Sequence, residues 1–491
     1  NQNQYFLHGL AQAGVGHLDR DWLANTTDPT PAFSILVKWA YQLFHFEPIF
    51  YVIYAALQGI YLLSLLGILE KISRKPLEGA KKAAIIAMLM LLHSAALRFL
   101  LSRTLGVQWA YIFEDGFADQ RMLGPVLQPS SFGVLLMLSL YLYLNERRKM
   151  ASACAAAAAL MHPTYLLSAA ILVAFYMGAD FWRLHRVASR SNLPAGLQFR
   201  NALSSPLLSG FIALLIVTPS LIHTYNVFAG SSADIAAQAR QILVDFRIPH
   251  HARVDWWFDA TAVVKIVFIL IALILSRKTP VFPALAFGTI AAGSLTALQF
   301  CSGFDALAHI FPWRLSTLIL PLSTSIFCLR IIELAFRSRA LDSTSLQRWL
   351  IAACALGTMI LILIGAFRLY LDFKRQLADP ARGLYTFVQA HSRAEDVYLV
   401  PIKMQDFRLT TGSPIYVDFK AIPYRDREVL EWYDRIQKAS HFYAGDCQAL
   451  QEITPSGVTL VVINRRQGQP DCDLSYQVFA DPNFIVFELS P

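Results

Sequence analysis

Carboxylates and arginines recur together in three polar stretches of an otherwise apolar 491-residue chain. That pairing suits group transfer from a phosphate-bearing donor. A carboxylate can take the proton of an attacking hydroxyl, and the arginine fork matches phosphate oxygens two at a time. The first stretch, residues 1–31, carries Asp19, Asp21 and Asp28. The second, residues 112–128 (IFEDGFADQRMLGPVLQ), carries Glu114, Asp115, Asp119 and Arg121. The third joins residues 247–255 (RIPHHARVD), with His250 and His251, to Phe311-Pro312-Trp313-Arg314 at the start of an apolar block. Arg98 lies near the end of another block. Each residue also has a plainer reading. Asp19 and Asp21 could simply solvate a loop, and Asp28 before Pro29 could close a turn or cap a helix. Adjacent histidines on a helix diverge rather than meet at one ion, so His250 and His251 define no metal site, although room is left for a divalent metal. Arg314, beside Trp313 at a block boundary, could bind an anionic head group or snorkel toward one.

These residues must be positioned by membrane elements. The chain is 55% hydrophobic and 15% charged, with a mean hydropathy of +0.44. A soluble domain of this size could not hide so much apolar surface. The apolar residues cluster into about ten blocks of spanning length: 48–70, 83–101, 131–146, 150–163, 164–182, 206–223, 260–277, 282–300, 312–332 and 349–370. His162-Pro163-Thr164 alone separates the fourth from the fifth, which predicts a kinked or re-entrant pair. The connecting segments on one side (71–82, 146–149, 183–200, 277–278, 330–348) hold 18 Lys and Arg. Those on the other (102–130, 224–259, 301–311) hold 5. The asymmetry puts the basic set in the cytoplasm and explains the net charge of +8 without nucleic acid. Residues 1–47 and the tail from 371 then lie outside. An N-terminus that starts outside implies a further helix upstream, giving eleven spans in the native chain.

Within residues 1–47, the stretch 32–46 (AFSILVKWAYQLFHF) reads as a helix lying in the membrane interface, or else as a fragment of the next span. Residues 48–370 form the helical domain, and residues 371–491 a soluble domain. There, 397–402, 414–419, 458–464 and 484–489 read as strands and 426–439 and 446–453 as helices, predicting a small, mostly parallel α/β sandwich. It has no Gly-rich phosphate loop and no nucleophile–base signature, which favours a lid, acceptor-binding or partner-binding role. Cys447 and Cys472 are the only cysteines in the tail, and an oxidising compartment would let them pair.

With these features in view, the chain resembles the GT-C superfamily of polytopic glycosyltransferases. The likeness covers the whole chain in architecture: a long first outer loop, about eleven to thirteen spans and a C-terminal outer domain. Family members such as lipid A aminoarabinose transferases open the first loop with an acidic pair, then a Tyr, a Gly-Asp-Trp-like stretch and an acid before prolines. Here Asn1-Gln2-Asn3-Gln4-Tyr5, Asp19-Arg20-Asp21-Trp22 and Asp28-Pro29-Thr30-Pro31 take those places. Residues 116–132, 311–321 and 411–432 are also similar to segments of bacterial membrane proteins placed near this superfamily. The resemblance implies transfer of a hexose or pentose, with inversion, from a polyprenyl-phosphate carrier to a glycan, lipid or protein acceptor outside the bacterial inner membrane. Asp28 or Asp21 would be the base, with Glu114 or Asp115 in reserve. Arg314, Arg121 and Arg98 would hold the phosphate. The chain departs from the pattern in carrying amides where the leading carboxylate stands, and amides cannot take a proton. Two non-enzymatic readings compete, a subunit or scaffold of a larger complex and a transporter. A transporter should carry ionisable residues deep in its spans, whereas Arg98, Lys265 and Arg314 all fall near span ends.

Overall fold

The computed structural model describes residues 2–45, 47–188, 195–228, 231–337, 343–468, 470–474 and 476–489. Asn1 and parts of two basic segments, 189–194 and 338–342, lie outside the described residues. The first loop opens with two short helical segments, Gln2–Tyr5 and Leu7–Gln12, and continues to helix α1 (Pro31–Phe44). His45, in the left-handed region at φ 44°, ends α1 and separates it from α2 (Ile49–Ile72). Residues 32–44 of the expected stretch therefore belong to a helix of their own, and Phe46 lies outside the described residues. It buries Phe33, Val37 and Ala40 and exposes Ile35, Trp39 and Leu43.

The helical domain continues with α3 (Gly79–Leu92), α4 (Ala95–Thr104), α5 (Val134–Leu144), α6 (Arg148–Met161), α7 (Leu166–Ala188) and α8 (Ala195–Phe228). Then follow α9 (Ala233–Gln241), α10 (Ala260–Ser276), α11 (Phe282–Ser302), α12 (Ser316–Ala335) and α13 (Thr344–Leu377). Among the described residues, six helices are long and apolar enough to cross a membrane, and α3 with α4, bent by 53°, makes a seventh if the pair is one span. This makes the chain a multi-pass membrane protein. Of the roughly ten expected blocks, not all form helices of spanning length among the described residues. Residues 129–144 and 260–276 form apolar helices of under 18 residues, and α6 has 14, short of the roughly 20 residues a straight crossing needs. The breaks have local causes. Ser94 accepts the Leu97 amide at 3.1 Å and so starts α4 afresh, and Pro163 divides α6 from α7 as its missing N–H requires. No residue of the 34-residue α13 is buried, and it shows Trp349, Ile362, Leu363 and Phe367 outward, the surface that lipid would cover.

The C-terminal domain places a four-stranded sheet, order β1-β2-β4-β3, between helices. The strands are β1 (Tyr398–Leu399), β2 (Leu460–Asn464), β3 (Tyr476–Ala480) and β4 (Phe484–Glu488). The helices are α14 (Arg382–His391), α15 (Asp426–Tyr443) and α16 (Cys447–Ile453). Alternation along β2 decides the layers: Val461 and Ile463 face the core with Trp432 and Ile436 of α15, while Leu460 and Val462 face Leu384 and Val388 of α14. The sandwich is as expected, but its sheet is mixed. Only β1–β2 is parallel; β2–β4 and β3–β4 are antiparallel. Residues 414–419 form no strand beyond one bridge from Ile415 to Tyr398. They run beside the ion pairs described next instead. Cys447 and Cys472 form a disulfide across 25 residues.

First loop and C-terminal domain are joined through a buried arginine. Arg408 donates to Asp21 at 2.7 Å and to Asp418 at 2.6 Å, all three side chains being at most 1% exposed. Asp21 also accepts the amides of Leu23 (2.9 Å) and Ile415 (3.0 Å). Asp418 accepts those of Lys420 and Ala421. Nearby, the His17 amide donates to the Gly412 carbonyl at 2.8 Å. A Cβ on Gly16, at φ +54°, would lie 2.4 Å from that oxygen, so only glycine allows the approach. Replacing Arg408 with Met leaves two carboxylates facing each other without water. The expected loss is ~3–5 kcal/mol of stability, read as a lowered unfolding midpoint of the detergent-solubilised protein. A shift equivalent to less than about 1 kcal/mol would contradict this. For the disulfide, Cys447→Ser should cost about 2–4 kcal/mol, and reducing agent should lower the wild-type midpoint to match while leaving the variant unmoved.

Candidate functional site

A cavity of about 1010 Å³ opens between α6, α7 and α8 beneath the first loop and the C-terminal domain. Its walls within the helices are apolar, among them Leu166, Val173, Met177, Ala213 and Val217. Polar groups enter from helix ends and outer segments: Tyr5 and Thr30 of the first loop, His162 before α7, His223 near the end of α8, Arg240 of α9, and Tyr424 and Asp426 of the C-terminal domain. One cavity thus has a greasy depth and a polar mouth, the shape of a site for an amphiphile.

The mouth is tightly built where it is structural. Gln4 donates to the Tyr424 hydroxyl at 3.1 Å. His223 Nε2 meets the Asp28 carbonyl oxygen at 2.7 Å. Thr27 donates its amide and hydroxyl to Glu428, at 3.0–3.2 Å. Other groups are left over. His162 is buried with Nδ1 unpartnered, its ring edge-on to Tyr5 and Tyr165. Arg314, 9% exposed, lies over the Tyr165 ring at 4.6 Å with its Nε unpartnered. Among the described residues, neither Arg240 nor Asp426 makes an ion pair, and Asp426 is 6% exposed.

The structure redistributes the residues expected from sequence. Asp21 is corrected from base to anchor, since both its oxygens are engaged in the Arg408 joint. Asp19 is exposed, away from the cavity walls. Asp28 sits beside the mouth, but one carboxylate oxygen accepts the Thr30 amide at 2.8 Å, the turn that its place before Pro29 favours. Glu114 pairs with Arg98 at 2.6 and 2.9 Å, and Asp115 pairs with Arg121 at 2.9 Å. Both guanidiniums flank the Tyr111 ring, at 4.9 and 4.0 Å. These four side chains pair with one another and lie outside the described cavity lining, so the fold does not bring Arg98, Arg121, Glu114 and Asp115 to it. Trp313 is buried, stacks near Trp257 at 5.2 Å and donates to the His251 carbonyl at 3.1 Å. His251 in turn contacts the Ala118 carbonyl through Nδ1 at 2.6 Å. Burial, with His250 beside it, pushes the His251 imidazole down to about 3, so it is neutral at physiological pH. Through these contacts Trp313 and His251 link two outer segments, and neither they nor His250 are among the described residues lining the cavity. Among the described residues no group of three or more His, Cys, Asp or Glu is placed to hold a metal ion.

None of the expected set is among the described residues that line the cavity; Asp28 touches it through His223, and Arg314 lies behind it over Tyr165. His162, His223, Arg240 and Asp426 were missed. His162 was visible as the residue before a helix-breaking proline. Arg240 and Asp426 lie in ordinary charged helices, and only the fold turns them inward.

Residues 380–439 match a family described as a domain of unknown function (DUF6798). The match includes Arg408, Asp418 and Asp426. No curated protein matches the chain. Among solved structures, the apo oligosaccharyltransferase of Archaeoglobus fulgidus aligns over 94% of this chain at 14% identity and a TM-score of 0.44. The chain spans 65% of that protein's length.

The Asp115 cluster yields a pH test. Burial pushes the Asp115 carboxyl up to about 8; Arg121 and Lys265 oppose the rise and Glu114 adds to it. Unfolded aspartate titrates near ~3.9. Between the two values the folded chain holds a proton that the unfolded chain has released. This group's contribution to stability therefore falls as pH rises from about 4 to about 8, then levels off. Asp115→Asn should flatten that slope in unfolding midpoints measured across the window, and parallel wild-type and variant curves would contradict the assignment.

Proposed function

We propose that this protein is a membrane-embedded glycosyltransferase of the GT-C kind, using a sugar carried on a polyprenyl phosphate. It would act at the outer face of a bacterial inner membrane, with the first loop and the C-terminal domain closing over the site. The observation that carries the reading is the cavity: an apolar depth of about 1010 Å³ whose lining includes Arg240, which makes no ion pair among the described residues. An isoprenoid tail would lie along Val173, Ala213 and Val217. Its phosphate would reach Arg240, with Arg314 behind Tyr165 adding positive potential, as an anion at a membrane surface requires. The acceptor hydroxyl would enter from the outer side, lose its proton to a carboxylate and displace the phosphate in one inverting step. The sequence resemblance to GT-C proteins supports the same class. The domain boundaries near 47 and 371 and the outward C-terminus belong to this proposal.

A second reading, a non-catalytic subunit that holds a lipid, is favoured by one observation: Asp21, Glu114 and Asp115 are all committed to arginines. Both readings require the lipid to bind; only the first requires turnover. Filling the cavity by Ala213→Trp should weaken binding of a polyprenyl phosphate to the protein in nanodiscs at least tenfold, about 1.4 kcal/mol, as measured by native mass spectrometry. Unchanged binding would remove the cavity from consideration as the lipid site.

A further inference from the structure

We infer that Asp426, supplied by the C-terminal domain, is the general base that activates the acceptor hydroxyl. This rests on the transferase reading above and names a residue that neither the sequence pattern nor the first loop pointed to.

Asp426 is the one Asp or Glu among the described residues that line the cavity. It is 6% exposed and, among the described residues, has neither a hydrogen-bond nor an ion-pair partner. A carboxylate taken out of bulk water without a partner costs free energy, and such a group facing a cleft is a functional candidate. The buried carboxylates of Asp21, Glu114, Asp115 and Asp418 are by contrast each matched by an arginine.

The segment carrying Asp426 is also held with unusual firmness against the first loop. Tyr424 receives Gln4, and Glu428 receives Thr27, so residues on both sides of Asp426 are fixed to the walls of the mouth. Thr27 immediately precedes Asp28-Pro29-Thr30, and Pro29 and Thr30 line the same cavity as Asp426. Asp426 begins the 18-residue α15, whose N-terminal end favours negative charge. Arg240, on α9 packed against α15, enters the same cavity. A carboxylate for the acceptor and a guanidinium for the leaving phosphate thus reach one space from two elements.

The step balances as follows. The acceptor O–H gives its proton to the Asp426 carboxylate as its oxygen bonds to the anomeric carbon. The bond between that carbon and the phosphate oxygen breaks, and its electron pair leaves with the phosphate, whose charge Arg240 meets. The proton later passes from Asp426 to solvent.

The test uses the full chain in nanodiscs, a panel of hexoses and pentoses linked to polyprenyl phosphate, and release of polyprenyl phosphate as the readout. Asp426→Asn should lower kcat about 100-fold or more while KM for the donor stays within about threefold, and Asp28→Asn should leave turnover within about threefold of wild type. Added formate should restore part of the turnover of Asp426→Ala, an effect that a purely structural role would not give and that survives a partial folding defect. Wild-type turnover in Asp426→Asn, or a 100-fold loss in Asp28→Asn alone, overturns the inference and leaves the transferase reading standing. A wild-type protein that binds polyprenyl phosphate but releases none from any donor of the panel overturns the transferase reading itself, and Asp426 with it.

Discussion

Arg408 is the point on which the two ends of the chain agree. Its guanidinium sits between Asp21 of the first loop and Asp418 of the C-terminal domain, with no water to share the charge. One guanidinium between two carboxylates leaves a formal charge of −1, which the backbone amides of Leu23, Ile415, Lys420 and Ala421 help to hold by donating to the two carboxylates. Such a joint is intolerant of sliding, because any displacement leaves an ion without its partner. Arg435 adds a softer contact, its guanidinium lying over Trp22 and Tyr416. The consequence reaches the cavity. With Asp21 fixed, the loop that follows brings Thr27 to Glu428 and Thr30 to the mouth, and the residues around Asp418 lead directly to Tyr424 and Asp426.

The same chain shows two ways of placing charge near a membrane. Around Tyr111, Arg98 with Glu114 and Arg121 with Asp115 form closed pairs, and Lys265 adds a hydrogen bond to the Gly116 carbonyl at 2.7 Å. Side chains so arranged hold an outer loop onto α4 and α10. At the cavity, Arg240 and Asp426, with Arg314 behind Tyr165, make no ion pair among the described residues, and the His162 Nδ1 is unpartnered. An apolar depth supplies no counter-ions of its own. That contrast, more than the number of charged residues, separates scaffold from site.

Much of this was legible in advance, and the misses have physical reasons. The run of apolar blocks, the break at His162-Pro163, the separate helix after Pro31, the pairing of Cys447 with Cys472 and the helix beginning at Asp426 follow from local hydropathy, proline chemistry and cysteine placement. The number of full crossings did not follow, because an apolar run of 14 to 17 residues reads the same whether it spans or stops short. Strand β3 was invisible for another reason: it is an exposed edge strand, Tyr476–Ala480, with little apolar signal of its own.

Sequence by itself determined that this is a multi-helix membrane protein with an α/β tail, since burial of apolar side chains and helix breaking are set by neighbours along the chain. It also determined which residue types were available for chemistry. Only the tertiary structure decided which of them are free to use. Asp21 and Asp426 are equally plausible acids when read as letters. One finds Arg408, 387 residues away, and is spent on holding the fold; the other finds a cavity and no partner. Ionic partners are chosen by proximity in space, and no local pattern encodes that.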